Sequence, residues 1–79
     1  MIKELDQVVL TNDLPEHGLK AGDIGTVVLE HIAKKGYEVE FVALDGETLA
    51  VVSVFPAQIR PIGHREIARV RPVELPLAA

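Results

Sequence analysis

A chain of 79 residues has room for one folded domain and a tail, because two separate hydrophobic cores need more residues than this. The core must be aliphatic, since 48% of the residues are hydrophobic and only 4% are aromatic. The absence of Cys excludes disulfides, thiolate zinc sites and thiol catalysis. The longest apolar run is too short for a transmembrane helix, so we expect a cytoplasmic protein. A formal net charge of −4 disfavours nucleic acid as a partner.

Short segments of alternating or β-branched residues predict five strands. The clearest segment is 37–41, where Tyr37, Val39 and Phe41 alternate with two glutamates, as in a strand with one buried face. Four further segments have the length and composition of strands: 7–11, 26–29, 47–55 and 59–62. This pattern predicts an all-β fold.

Turn residues separate these segments where antiparallel strands need connections. Asp45-Gly46 lies between the third and fourth strands and is a strong hairpin signal. Residues 12–23 form a long first loop, with a helical turn at 15–17. A segment that begins with proline, 56–58, predicts a single 3₁₀ turn ahead of the last strand.

These elements predict a small five-stranded SH3-like barrel over residues 1–62, with a long first loop and a 3₁₀ turn before the last strand. An open antiparallel sheet that a partner chain completes is the alternative. Residues 63–79 are predicted to form a C-terminal tail or packing arm, since Pro72 and Pro76 prevent a continuing helix. The strand pattern predicts a buried set of eight residues: Val8, Leu10, Val27, Leu29, Val39, Phe41, Val51 and Ile59.

The sequence provides little for catalysis or metal binding. His17, His31 and His64 have none of the close spacings of paired metal ligands, and no Cys is present to assist them. Ser53 is the only Ser, and it lies in an apolar segment with no base evident from the sequence. We therefore expect no enzymatic activity, no metal and no cofactor.

Two stretches of the sequence carry a family resemblance: Leu-Pro-Glu-His-Gly-Leu at 14–19 and Gly-Asp-Ile-Gly-Thr-Val-Val at 22–28. Together with residues 1–6, 37–41 and Asp45-Gly46, they resemble the small bacterial proteins grouped as domain-of-unknown-function family 4926. The resemblance covers roughly the predicted barrel and leaves out the tail. It implies an SH3-like barrel and a bacterial cytoplasmic setting, and it implies no established activity.

The segment from Gly22 to Val27 also resembles the KOW motif of ribosomal and transcription-factor barrels. That resemblance implies RNA binding, for which KOW domains carry basic residues around this turn. Here Lys20 is accompanied by Asp23 and Glu16, so RNA is the least favoured partner. A bend at Gly22 and Gly25, which any small barrel needs, is the favoured explanation of the pattern.

Acidic residues provide the candidates for binding a partner protein: Glu30, Glu38, Glu40, Asp45 and Glu47. The two glutamates of segment 37–41 must point away from the core if Val39 and Phe41 point into it. Negative charge gathered on that face would steer a basic partner and speed its association. A solvated face that serves only solubility is the alternative.

The function that the sequence favours is a non-catalytic protein-interaction module. An antitoxin or immunity protein that neutralises a basic toxin is a narrower form of this hypothesis, and a structural homo-oligomer is a further alternative. The segment 47–55 is apolar on both faces, although a monomeric barrel buries only one. Either the tail or a second chain must cover the other face, and we expect a homodimer.

Overall fold

A single five-stranded antiparallel sheet forms the body of the molecule. The computed structural model describes residues 2–31 and 35–74. The strands are β1 (Gln7–Leu10), β2 (Ile24–His31), β3 (Gly36–Val42), β4 (Thr48–Val54) and β5 (Ile59–Pro61), and they lie in the order β4-β3-β2-β1-β5. The predicted all-β class and five strands are confirmed. The end strands β4 and β5 do not pair with each other, so the sheet is not closed and a barrel is not confirmed.

Two single 3₁₀ turns lie where the sequence predicts them, at Pro15–His17 and Pro56–Gln58. Each begins with a proline, whose fixed φ angle suits the first position of such a turn. Within the described part of the chain there is no α-helix, and hence none of the length needed to cross a membrane.

The long first loop contributes to the core, which the sequence did not predict. Leu14 and Leu19 flank the first 3₁₀ turn and form an isolated β-bridge, in which the Leu14 N–H donates to the Leu19 carbonyl at 2.8 Å. Gly18 closes the turn with a left-handed φ of 69°. Both leucines are buried, so this loop is a packed element of the domain.

The inner face of the sheet, which we define by the buried side chains of Val39 and Phe41, forms the core. Six of the eight predicted core residues are buried there: Val8, Leu10, Val27, Val39, Phe41 and Ile59. Further buried residues on β4, Val52 and Val54, complete the cluster. Phe41 is 2% exposed, and it is the largest of the fully buried side chains.

Leu29 was wrongly predicted to be in the core, because a β-bulge reverses the alternation of β2. Val27 pairs with Val39, but Leu29 pairs with Glu38, so β2 has one extra residue at Val28. A bulge of this kind shifts every later side chain to the other face. Leu29 is therefore 45% exposed on the outer face, the side of the sheet opposite the core.

Val51 was also wrongly predicted to be buried, and cross-strand register gives the reason. β4 is apolar on both faces, so its sequence does not specify which face points inward. In the structure Val52 pairs with the core residue Val39, whereas Val51 pairs with Glu40. Val51 accordingly lies on the outer face and is 54% exposed.

Two glycines, one just before β2 and one within it, serve different purposes. Gly22 has a left-handed φ of 97°, which makes the turn out of the long loop. Gly25 lies within β2, where an added Cβ would come within 2.5 Å of Val39 Cγ1 and 2.8 Å of Phe41 Cε1. Gly25 is therefore required by close packing against β3, and the bend that the sequence assigned to both glycines belongs to Gly22.

The described part of the tail, residues 63–74, runs back along the domain without regular secondary structure. Arg60 and Glu66 hold its beginning through two hydrogen bonds of 2.8 and 2.7 Å. Near its end, Arg71 Nε donates to Asp23 Oδ1 at 2.9 Å, and Arg71 Nη2 donates to Asp23 Oδ2. The division at residue 62 stays a prediction, and the predicted tail residues 75–79 lie outside the described residues.

The tail lies beside β1 and leaves the outer face of β4 uncovered. Val9 points to the outer face, because its neighbours in β1 point into the core, yet it is only 6% exposed. It lines a groove together with residues 66–71 of the tail. Val51 and Phe55 in contrast remain 54% and 69% exposed. Residues 63–74 therefore do not cover the outer apolar face of β4, although such a cover was one of the two predicted alternatives.

Candidate functional site

Negative charge is concentrated in one part of the fold, which we call the acidic hairpin: β3, β4 and the turn between them, residues 36–54. This segment contains four Asp and Glu residues and no Lys or Arg. The rest of the chain has eight residues of each sign, so the acidic hairpin carries the whole formal net charge of −4. Its carboxylates form no ion pair with Lys or Arg among the described residues.

Glu38 lies on the outer face of β3, as its alternation with buried residues requires. Its Oε2 atom accepts a hydrogen bond from the Ser53 hydroxyl and lies 2.7 Å from His31 Nε2. These two hydrogen bonds, that of Ser53 first, lower the pKa of Glu38 below its usual range. Glu38 is therefore anionic at neutral pH and already engaged within the domain.

Glu40 lies two residues further along the same face of β3. Its Oε2 atom accepts a hydrogen bond of 2.9 Å from the hydroxyl of Thr48, at the beginning of β4. Glu40 pairs in register with Thr26 on one side and Val51 on the other, so its cross-strand neighbours bring no charge. This carboxylate consequently has no cation beside it in the sheet.

Asp45 and Glu47 lie in the turn between β3 and β4, and both are exposed. Asp45 Oδ1 accepts the backbone N–H of Glu47 at 3.1 Å, a side-chain bond typical of Asp in turns. Gly46 between them has a left-handed φ of 98°. The turn therefore presents two carboxylates at the end of the strand that carries Glu40.

Glu30 is separated from the other four candidate residues. It pairs with Tyr37, and directly opposed residues in an antiparallel sheet share a face. Tyr37 lies on the inner-face side with Val39, so Glu30 projects to the side opposite Glu38. Four of the five candidates thus belong to the acidic hairpin, two on its outer face and two in its turn, and Glu30 lies apart from them.

Exposed apolar side chains accompany the carboxylates. Val42, the last residue of β3, is 45% exposed, and Leu44 in the turn is 88% exposed. A cleft of about 560 Å³ separates this turn from the tail. Its lining includes Asp45 and Glu47 on one side and Val70 of the tail on the other.

Sequence reasoning missed a second polar site, which joins the first loop to the tail. The carboxylate of Asp23 accepts the backbone N–H of Lys20 at 2.8 Å as well as the guanidinium of Arg71. This pairing raises the pKa of Arg71. Arg71 also donates to the Gly18 carbonyl at 3.3 Å, so it binds both ends of the segment that follows the first 3₁₀ turn. A separation of 48 residues leaves no local signal for such a pair.

Of the three histidines, His31 is the one that shares a hydrogen-bond partner with Ser53 among the described residues. His31 and Ser53 bind the same oxygen of Glu38, and the Ser53 hydroxyl donates to that carboxylate rather than to a histidine. Over residues 2–31 and 35–74, no group of three or more His, Asp or Glu side chains is placed to hold a metal ion.

Residues 4–61 match the family described as Domain of unknown function (DUF4926). The chain belongs to this family. The match covers all five strands and the first loop, and the family resemblance of the sequence is confirmed. No curated protein and no solved structure matches the chain. Asp23 lies within the region that matches the DUF4926 family, whereas its partner Arg71 lies in the tail beyond that region.

Proposed function

We propose that this DUF4926 domain is a non-catalytic protein-interaction module whose acidic hairpin binds a partner protein with a basic face. The observation that carries the proposal is the charge of residues 36–54, where four acidic residues have no Lys or Arg among them. Such a concentration of one sign steers an oppositely charged partner and speeds association. It repels the phosphates of a nucleic acid, which disfavours the KOW-like alternative.

The four carboxylates differ in what they offer a partner. Glu38 is already bound by Ser53 and His31, so it contributes charge to the field more than a new contact. Asp45 and Glu47 are exposed at the cleft beside the tail. A Lys or Arg of the partner fits this cleft, with its apolar stem against Val42 and its charged end at the two carboxylates.

A catalytic role has weaker support than the binding of a basic partner protein. General bases work best when their pKa lies near the working pH, whereas the pKa of Glu38 is shifted downward. The Ser53 hydroxyl donates its hydrogen bond to that weak base, and His31 binds the same carboxylate oxygen rather than the hydroxyl, so His31 is not placed to take the Ser53 proton. Neutralisation of a basic toxin is a special case of the proposed binding, since the same surface would carry it.

The test is a comparison of two variants with equal net charge. The triple variant Glu40→Gln, Asp45→Asn and Glu47→Gln removes three charges, and the first two substitutions keep an oxygen that accepts the hydrogen bond of the original carboxylate. The control neutralises three exposed carboxylates elsewhere: Glu4→Gln, Glu16→Gln and Glu74→Gln. Both variants have a formal net charge of −1, so only the location of the lost charge differs.

Each protein is immobilised and exposed to an extract of its native host, and the proteins retained are identified and then purified for kinetic measurements. We expect the wild type and the control to retain a basic protein that the hairpin variant loses. Its association rate should fall with added salt for the wild type and respond little to salt for the hairpin variant. Equal retention by all three proteins overturns the proposal.

A further inference from the structure

The two edges of the sheet differ in their protection against pairing with another chain. β5 has three residues and ends in Pro61, which has no backbone N–H to donate. β4, at the other edge, has seven residues and contains no charged residue, no Gly and no Pro. Among the described residues it pairs with β3 alone. β4 therefore has neither the charges nor the proline by which soluble proteins protect an edge strand, and its one bulge, at Leu49, lies toward the turn and leaves residues 50–54 regularly paired.

Exposed apolar side chains adjoin this edge. Val51 at the centre of β4 is 54% exposed, and Phe55 directly after β4 is 69% exposed. The sequence predicted that either the tail or a second chain would cover this face. Residues 63–74 lie beside β1 and the turn of the acidic hairpin instead. Residues 63–74 therefore leave the edge beside this face open to a second chain.

We infer that β4 pairs with β4 of a second copy of this chain, antiparallel and around a two-fold axis perpendicular to the sheet. Such an axis keeps the inner face of one sheet continuous with the inner face of the other. Full overlap of the seven residues sets Val51 opposite Val51 of the second copy, and Ala50 opposite Val52 of the second copy. Equal faces thus meet along the strand, as an isologous contact requires.

The positions of the charges permit this contact. The only carboxylates of the acidic hairpin that lie within a strand are those of β3, one strand in from the edge. In the paired sheet, Glu40 and Glu40 of the second copy are three strand spacings apart, about 14 Å. This distance exceeds the Debye length of about 8 Å at physiological ionic strength, so their repulsion is largely screened. β-branched residues at the centre of β4 favour the paired, half-buried environment.

This inference is independent of the basic partner proposed above, and the two respond to salt in opposite directions. Binding of a basic protein to the acidic hairpin weakens as salt screens attraction. Pairing of two β4 strands brings like-charged hairpins together, so added salt strengthens it over the range below physiological ionic strength, where their repulsion is not yet screened. The failure of one proposal is therefore distinguishable from the failure of the other.

The first measurement is the mass of the full chain in solution, by light scattering and sedimentation over a concentration series that reaches the millimolar range. We expect a rise from the chain mass of 8.6 kDa to twice that value, with the dimer favoured by added salt. Val51→Lys places a charge at the centre of the edge and should hold the protein at the chain mass. Val28→Lys is the matched control, because Val28 is a similarly exposed valine on β2, which lies in the middle of the sheet and not at its edge. This variant should still dimerise.

A second measurement locates the contact and uses the absence of Cys from the chain. Val51→Cys should give a covalent dimer on mild oxidation, since opposed residues of an antiparallel pair bring their Cα atoms within reach of a disulfide. Val28→Cys should stay largely uncrosslinked under the same conditions. A wild-type protein that remains monomeric throughout the series overturns the inference. Equal crosslinking of the two cysteine variants, or equal masses of the two lysine variants, overturns it as well.

Discussion

Phe41 and Ile67 are both large apolar side chains, yet Phe41 is 2% exposed and Ile67 is 92% exposed. Phe41 lies in the core of the sheet, whereas Ile67 lies in the tail. The sheet is held by burial of apolar side chains, and the tail is held by Arg60 with Glu66 and by Arg71 with Asp23. The sheet should therefore stay folded under changes of salt and pH that detach the tail.

The sharpest test of burial as the stabilising force in the sheet is Phe41→Ala. Loss of this side chain should lower the free energy of unfolding by about 3–5 kcal/mol, because it removes apolar contacts and leaves a cavity. In a domain of this size that loss is enough to unfold much of the protein. Val42→Ala is the control, because Val42 is the next residue and its side chain is 45% exposed. This substitution should lower the free energy of unfolding far less. Chemical denaturation measures both, and similar midpoints would contradict the assignment of the core.

Close packing between β2 and β3 is tested by Gly25→Ala. The new Cβ would lie 2.5 Å from Val39 Cγ1, so neighbouring atoms must move, at a cost of about 1–3 kcal/mol. The same substitution in a Val39→Ala background should cost less, because the nearest clashing atom is gone. Denaturation of the four proteins of this double-mutant cycle measures the coupling. Strictly additive effects would show that the contact is not the cause.

Attachment of the tail is tested by Arg71→Ala. We expect faster amide hydrogen exchange in residues 63–74, while the global free energy of unfolding falls by about 1 kcal/mol or less, as for other partly exposed ion pairs. Arg69→Ala is the matched control, since Arg69 lies two residues away and forms no ion pair among the described residues. A large loss of global stability in Arg71→Ala would show that the tail is part of the core.

The smallest effect concerns pH. Hydrogen bonds from Arg60 and from the Gly63 N–H lower the pKa of Glu66 from 4.5 to about 2. Because the folded pKa is lowered, the stabilising contact is fully present above pH 4.5 and is lost as the pH falls through about 2. A carboxyl NMR titration should show this low midpoint, and Arg60→Ala should move it back toward 4.5. An unchanged midpoint in Arg60→Ala would assign the shift to another group.

Local signals in the sequence predicted the elements, and contacts between distant residues decided the rest. The alternation around Phe41, the Asp45-Gly46 turn and the two prolines that begin 3₁₀ turns each act within a few residues. Leu29 and Val51 were assigned to the wrong face because a bulge and a register between strands determine their direction. Neither feature is encoded in the period of a single strand.

The candidate site shows the same division. The outward direction of the two β3 glutamates follows from alternation alone, and the structure places them there. The separation of Glu30 depends on the same bulge that moves Leu29, so it could not be read from one strand. The contact of Asp23 with Arg71 spans 48 residues and forms only when the tail folds back.

The two register shifts, near Val28 in β2 and near Leu49 in β4, also affect the shape of the sheet. A bulge bends its strand and increases local twist, so we expect the two bulges on the strands that flank β3 to curve the sheet. Curvature lets a single layer of strands enclose its own apolar side chains where a flat sheet needs a second layer above it. Departures from regular pairing thus favour a core that one small sheet can enclose.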